Sequence, residues 1–232
     1  MRKLSTNTFL TLDGVMQAPG GPEEDPTGGF THGGWSVKYW DETMLERIGE
    51  SMSRPFDLLL GRKTYEIFAA HWPHVSDDPI ADSLNCATKY VASRTLTNVD
   101  WEKSQLIRGD LPGAVARLKQ EDGPEIQVHG SPNLIQTLLM HDLIDEFRLW
   151  IFPLVLGTGK RLFDDGAMPA GFKLLDCTTS GTGVIISRFE RTGAIEYEPM
   201  NDSEVMSRFA LEQPTDAELA RRDMLRASVR GG

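Results

Sequence analysis

The sequence predicts an α/β fold with a central, mostly parallel sheet that closes in an antiparallel hairpin. Three observations carry this expectation. Leu58-Leu59-Leu60 is a short apolar run that turns at Gly61 and passes directly into a helical pattern through Phe68. Glu125–His129, Gly130 and Pro132–Met140 repeat the same strand, turn and helix. Phe172–Thr179 and Thr182–Arg191, joined by Ser180-Gly181, then read as a hairpin. Strands alternating with helices pack as layered βα units.

In chain order, Lys3–Leu12 alternates like a strand, and Gln17–Trp35 is a long loop rich in glycine and proline. Tyr39–Met52 carries Met44, Leu45, Ile48 and Met52 at helical spacing. Leu58–Leu60 and Lys63–Ala70 form the first βα unit, and a polar loop runs on through Asp82. Thr88–Ala92 and Gln105–Arg108 are predicted strands, and Leu111–Gln120 is a predicted helix. After the second βα unit, Asp145–Leu156 is a long strand. Its Leu149-Trp150-Ile151-Phe152 run demands cover on both faces. Polarity rises from Pro199, and Thr215-Asp216-Ala217-Glu218 fits a capping box before a helix near Glu218–Val229. The expected division is a main domain over 1–198 and an extension over 199–232.

Composition narrows the functional classes. A chain of 232 residues suits one large domain or one domain with an appendage. No apolar run approaches the ~18 residues of a membrane span, and the N-terminus lacks a signal pattern. Cys86 and Cys177 make neither a disulfide framework nor a metal-ligand spacing, so a cytoplasmic setting is expected. The net charge of −10 opposes nonspecific nucleic-acid binding, and an anionic ligand must be held by a local basic cluster.

Such a cluster opens the first βα helix. Gly61, Arg62, Lys63 and Thr64 combine unpaired backbone N–H groups, two cations and a hydroxyl, which suits a phosphate. Phe56 stands where a Walker A loop needs glycine, so this is not a P-loop. Gly130 and Ser131 form a second helix start of the same kind, with Ser131 also placed to cap the helix. Leu156, Gly157 and Gly159 suit a bend that admits a ligand, or a plain turn. His71-Trp72-Pro73-His74 with Asp77-Asp78 is rejected as a metal site, because Pro73 breaks helical geometry.

Four segments in order resemble one family. Leu58–Phe68 (LLLGRKTYEIF) is similar to the GRxT turn of dihydrofolate reductases and of the group containing the C-terminal domain of riboflavin-pathway reductases. Phe9–Pro19 (FLTLDGVMQAP) resembles that group's opening strand. Val128–Leu139 (VHGSPNLIQTLL) and Phe152–Phe163 (FPLVLGTGKRLF) resemble its later motifs, so the likeness spans about Lys3 to Glu190. The resemblance implies a dihydrofolate reductase-like three-layer domain that binds NADPH and passes a hydride to a small planar heterocycle, pterin-like or pyrimidine-like. It also implies a homodimer. A riboflavin-pathway reductase and a nucleotide-binding module without catalysis are the alternatives.

The same resemblance puts Ser93 and Arg94 beside the 2′-phosphate of NADPH, where a guanidinium matches phosphate geometry. It puts Asp13 where nicotinamide meets substrate, although Asp13-Gly14 is equally a turn pair. Dihydrofolate reductases carry a substrate-binding carboxylate on the first helix. Counting back from Pro55 aligns none of Asp41, Glu42 or Glu46 with it, and solvated acids are the default there. Asp41 is kept beside Asp13 as a catalytic candidate, and dihydrofolate is expected to be a poor substrate. Trp35 and Tyr39 are expected to close over a flat substrate from the glycine-rich loop.

Overall fold

The structure is a computed structural model and describes residues 1–163, 167–197, 207 and 214–230. Two compact units divide the chain, Met1–Gly193 and Ala194–Gly232.

The first unit is built on an eight-stranded sheet among the described residues. Its strands are β1 (Leu4–Thr11), β2 (Phe56–Gly61), β3 (Lys89–Ala92), β4 (Ser104–Ile107), β5 (Glu125–His129), β6 (Glu146–Phe152), β7 (Gly171–Thr179) and β8 (Ile185–Gly193). They lie in the order β4-β3-β2-β5-β1-β6-β8-β7. Every pairing from β4 to β6 is parallel, and β8 runs antiparallel to both β6 and β7. The expected mostly parallel sheet with a terminal hairpin is therefore observed.

Helices cover both faces and complete the three layers. α1 (Glu42–Met52), α2 (Arg62–His71) and α3 (Pro79–Cys86) pack on one face, while α4 (Leu111–Gln120) and α5 (Pro132–Met140) pack on the other. Alternation along the strands supplies both cores. Leu58 and Leu60 of β2 face Tyr65 and Leu84, whereas Leu59 joins Leu4, Ile126, Ile135 and Leu138. The Leu149–Phe152 run is covered within the chain. Trp150 and Phe152 enter an aromatic cluster with Phe9 and Trp35, and Leu149 packs on the opposite core.

Several boundaries differ from expectation for local reasons. α1 begins at Glu42, three residues later than its periodicity suggests, because Trp40 is extended and Asp41 caps the helix. β6 stops at Phe152, where Pro153 cannot continue the ladder. Part of the polar stretch through Asp82 is helical. Asp78 caps α3 by accepting from the N–H groups of Ile80 and Ala81, and Pro79 occupies the first turn.

In the second unit, α6 (Asp216–Arg230) starts with the expected capping box. Glu218 N–H donates to Thr215 Oγ1 at 3.3 Å, and Thr215 N–H donates to Glu218 Oε2 at 2.8 Å. No helix among the described residues is long and apolar enough to cross a membrane.

Candidate functional site

β2 and β5 are sheet neighbours, so the turns that follow them emerge side by side at the carboxyl edge of the parallel strands. That edge is where open α/β sheets bind ligands. The two turns are joined. Ser131 Oγ accepts from the Gly61 N–H at 2.9 Å and shares a hydrogen bond with Thr64 Oγ1 at 2.7 Å. Ser131 stands at the N-cap position of α5, but its side chain does not cap the helix as expected. Its left-handed backbone (φ 63°) turns the hydroxyl across to the neighbouring turn, and it makes no cap hydrogen bond. Neither α2 nor α5 has a side-chain cap, which leaves first-turn N–H groups open to a ligand.

Both glycines are sterically required. A Cβ on Gly61 would lie 2.8 Å from Ser131 Oγ. Gly130 adopts φ 62°, and a Cβ there would lie 3.2 Å from Thr64 Oγ1.

The joined turns form part of a cleft of about 1430 Å³, together with Asn7–Phe9 of β1 and Ala92–Thr95 after β3. Arg62 and Lys63 reach Glu66 only at 3.7 Å and remain about half exposed. Arg94 is exposed and has no ion-pair partner among the described residues. Ser93 Oγ accepts from the N–H groups of Thr95 and Leu96, fixing the turn that carries Arg94. The Thr8 hydroxyl is buried without a hydrogen-bond partner. His129 Nε2 sits 3.0 Å from Gln127 Oε1 and the ring meets Phe68 edge-on. Burial, then the charge of Arg148, pushes the imidazole down to about 4, so it is neutral near pH 7.

Other candidates lie outside the cleft. Asp13 is a latch between the end of β1 and the segment after β6. It accepts from Thr11 Oγ1 at 2.5 Å, Gly157 N–H at 2.8 Å and Leu156 N–H at 3.2 Å, with Arg161 at 3.5 Å. Desolvation works to raise its pKa, but these hydrogen bonds outweigh it and hold the carboxyl at about 2. Leu156 and Gly157 serve the same latch. Gly159 fills a tight corner, where a Cβ would meet Val15 at 2.7 Å and Phe30 at 2.8 Å. The cleft-lining residues of this segment are instead Lys160 and Arg161.

Asp41 is also turned away from the cleft. Its carboxylate caps α1 through Met44 N–H at 3.0 Å and receives Thr182 N–H at 3.2 Å. α1 presents Ile48 and Met52 to the cleft. Trp35 and Tyr39 pack edge-on against Phe152 in the core, and Trp35 Nε1 donates to Gln17 O. Val37 and Trp40 line the cleft in their place.

The residues missed in the sequence belong to the Gly/Pro-rich loop, which is a pinned structure. Lys160 Nζ holds Asp25 at 2.5 Å and Thr27 Oγ1 at 2.8 Å, and Gln17 Nε2 donates to the carbonyls of Asp25 and Thr27. Glu24 thereby lines the cleft. The available signal was an acidic triplet, Glu23-Glu24-Asp25, bracketed by Pro22 and Pro26. Among the described residues, no group of three or more His, Cys, Asp and Glu side chains could hold a metal ion.

Comparison with known proteins places the fold in context. The model of the family described as the RibD C-terminal domain matches residues 2–186. The uncharacterized protein YyaP of Bacillus subtilis (strain 168) is 30% identical over 193 residues, spanning 79% of this chain and 92% of that protein. A solved structure from Shewanella sp. PV-4, assigned to riboflavin biosynthesis, has a TM-score of 0.57 at 22% identity, covering 83% of this chain and 99% of that one. A dihydrofolate reductase from Enterococcus faecalis, solved in complex with NADP(H) and RAB-propyl, has a TM-score of 0.53 at 12% identity, covering 82% and 96%. At these identities the two structures speak for a reductase-type fold alone.

Proposed function

The chain belongs to the RibD C-terminal domain family, and from that premise we propose that it is an NADPH-dependent reductase of a small planar heterocycle, pterin-like or pyrimidine-like. The observation that carries the reading is the Ser131 junction between two helix starts, flanked by Arg62 and Lys63. Uncapped N–H groups, two hydroxyls and two weakly paired cations suit a diphosphate. Gly61, Arg62, Lys63, Thr64, Gly130 and Ser131 would hold it. Ser93 and Arg94, which has no ion-pair partner among the described residues, stand at the end of the adjacent strand β3 and would take the 2′-phosphate. The residues present thus fit the cofactor.

When bound, NADPH would supply the hydride. The protein's part is to orient the reactants, exclude water and deliver a proton. Phe9, Val37, Trp40, Ile48 and Met52 give the substrate end of the cleft an apolar wall suited to a flat ring. Asn7 adds an oriented amide, because its Oδ1 accepts from Trp150 Nε1 at 2.9 Å. Reduction in the riboflavin pathway is the second reading, favoured by the family match. A cytoplasmic setting, a homodimer formed through the β7 edge, and a division into a reductase domain (1–198) and a helical extension (199–232) complete the proposal. NADPH oxidation measured against a panel of dihydropterins and ribosylaminopyrimidines tests it. Acceptor-dependent oxidation supports a reductase, and tight NADPH binding with no oxidation identifies a binding module.

A further inference from the structure

We propose, resting on the reductase reading above, that Glu24 is the catalytic acid that protonates the substrate nitrogen as the adjacent carbon is reduced. The loop carrying it is fixed from several sides. Lys160 grips Asp25 and Thr27, Gly34 N–H donates to Ala18 O, and Ser36 N–H donates to Pro19 O. Glu24 is oriented further by its own loop. Oε2 accepts from Gly20 N–H at 2.6 Å and Gly21 N–H at 3.2 Å. Oε1 has no hydrogen bond among the described residues and is free to carry a proton.

The other carboxyl groups along the cleft are paired, capping or exposed, and His71 is exposed with its ring against Trp72. Asp25 is paired with Lys160, and Asp110 caps α4 by accepting from Gly113 N–H. Glu23 is exposed, and α1 offers only Ile48 and Met52. His129 is neutral near pH 7 and its one N–H is held by Gln127. Gln127 Nε2 donates to Ser51 O and Glu125 Oε2, so Gln127 Oε1 is the acceptor and His129 Nε2–H is the donor. His129 Nδ1 is then the unprotonated nitrogen. Burial, opposed by the two glycine N–H groups and aided by the charge of Asp25, pushes the Glu24 carboxyl up. It therefore stays protonated at higher pH than an ordinary glutamate.

The step balances. Hydride adds to the carbon of a C=N bond, and the π pair moves to nitrogen. Nitrogen takes the proton from Glu24 Oε1, and the O–H pair stays on Glu24 as carboxylate, held by the Gly20 and Gly21 N–H groups. Water restores the proton after product leaves.

Two readouts test this on the full chain with the dihydropterin and ribosylaminopyrimidine panel. E24Q should lower kcat by about 100-fold, the scale of general acid catalysis, while KM stays near the wild-type value. Wild-type kcat should fall as pH rises, that limb should vanish in E24Q, and E24D should retain part of it. Isotope-edited carboxyl NMR of the NADP⁺-bound wild type should show a resonance, absent in E24Q, that titrates above the ordinary glutamate value along with kcat. The role is overturned if E24Q keeps wild-type kcat, if the pH limb persists in E24Q, or if the Glu24 carboxyl titrates at or below the ordinary value. Should E24Q not fold, E24D and the wild-type titration decide. A wild type that binds NADPH but reduces no panel member removes the reductase reading itself, and this proposal with it.

Discussion

Ser131 Oγ lies 2.9 Å from the backbone nitrogen of Gly61, seventy positions away in sequence. The bond makes one unit of the two strand-to-helix turns, because the same oxygen also meets Thr64 Oγ1. Substitutions on the two sides should therefore couple. Ser131→Ala leaves the Gly61 N–H and the Thr64 hydroxyl without their partner and should cost about 1–2 kcal/mol by denaturant unfolding. Gly61→Ala should cost more, because its Cβ would lie 2.8 Å from Ser131 Oγ. Ser131→Ala removes the 2.8 Å contact and leaves only the 3.1 Å approach of its Cβ, so the double variant should be less destabilised than the sum of the singles. Simple additivity would show that the junction is incidental.

Arg94→Ala should weaken NADPH binding by roughly 1.5–3 kcal/mol and leave NADH nearly unaffected, since only the 2′-phosphate loses a charge-assisted bond. Calorimetric titration of both cofactors against both proteins measures this. Equal affinities before and after the substitution would remove Arg94 from the site.

Asp41→Ala should destabilise the fold by about 1 kcal/mol through loss of the α1 cap, with no change in NADPH affinity or in KM for any substrate. Because α1 turns Ile48 and Met52 to the cleft, dihydrofolate should turn over far below ~10 s⁻¹, the ordinary enzyme median. Efficient dihydrofolate reduction abolished by Asp41→Asn would contradict this placement.

Asp13 should report on stability at low pH. Its folded-state pKa of about 2 lies below the ordinary carboxyl value. Its contribution is therefore present above the unfolded-state value and is lost as pH falls from about 4 toward about 2. Solvent screening limits it to about 1 kcal/mol. Unfolding free energies for wild type and Asp13→Asn should converge across that window. Parallel curves would mean that the latch carries no charge-dependent stability.

β7 is one edge of the sheet, opposite β4, and exposes Phe172, Leu174 and Leu175. Light scattering of the full chain, and of the chain ending at residue 198, should give dimers at micromolar concentration. A monomer in both would remove the β7 interface.

The βα units were legible because each compresses its signal into about fifteen consecutive residues, namely an apolar run, a turn glycine and a helical stripe. α3 was not, since its eight residues bury only Ala81 and Leu84 and its start signal, Asp78-Pro79, sits in a polar stretch. That the basic and hydroxyl residues after β2, β3 and β5 share one cleft was legible because the strand ends that carry them were. Asp13, Asp41, Trp35 and Tyr39 were misplaced because their partners are remote. Asp13 meets Gly157 across 144 positions, and Asp41 meets Thr182 across 141. Glu24 escaped notice because a Gly/Pro-rich loop reads as mobile until Lys160, 135 positions on, pins it through Asp25.

In the proposed reaction this cleft brings reduced cofactor and heterocycle together for hydride transfer. Mass spectrometry of products formed with NADPH deuterated at the transferable nicotinamide position tests it most directly. The expected result is a dihydropterin- or ribosylaminopyrimidine-derived product carrying the deuterium, with formation suppressed by Gly61→Ala and shifted toward higher NADPH concentration by Arg94→Ala. Tight NADPH binding with no deuterium in any product would contradict it.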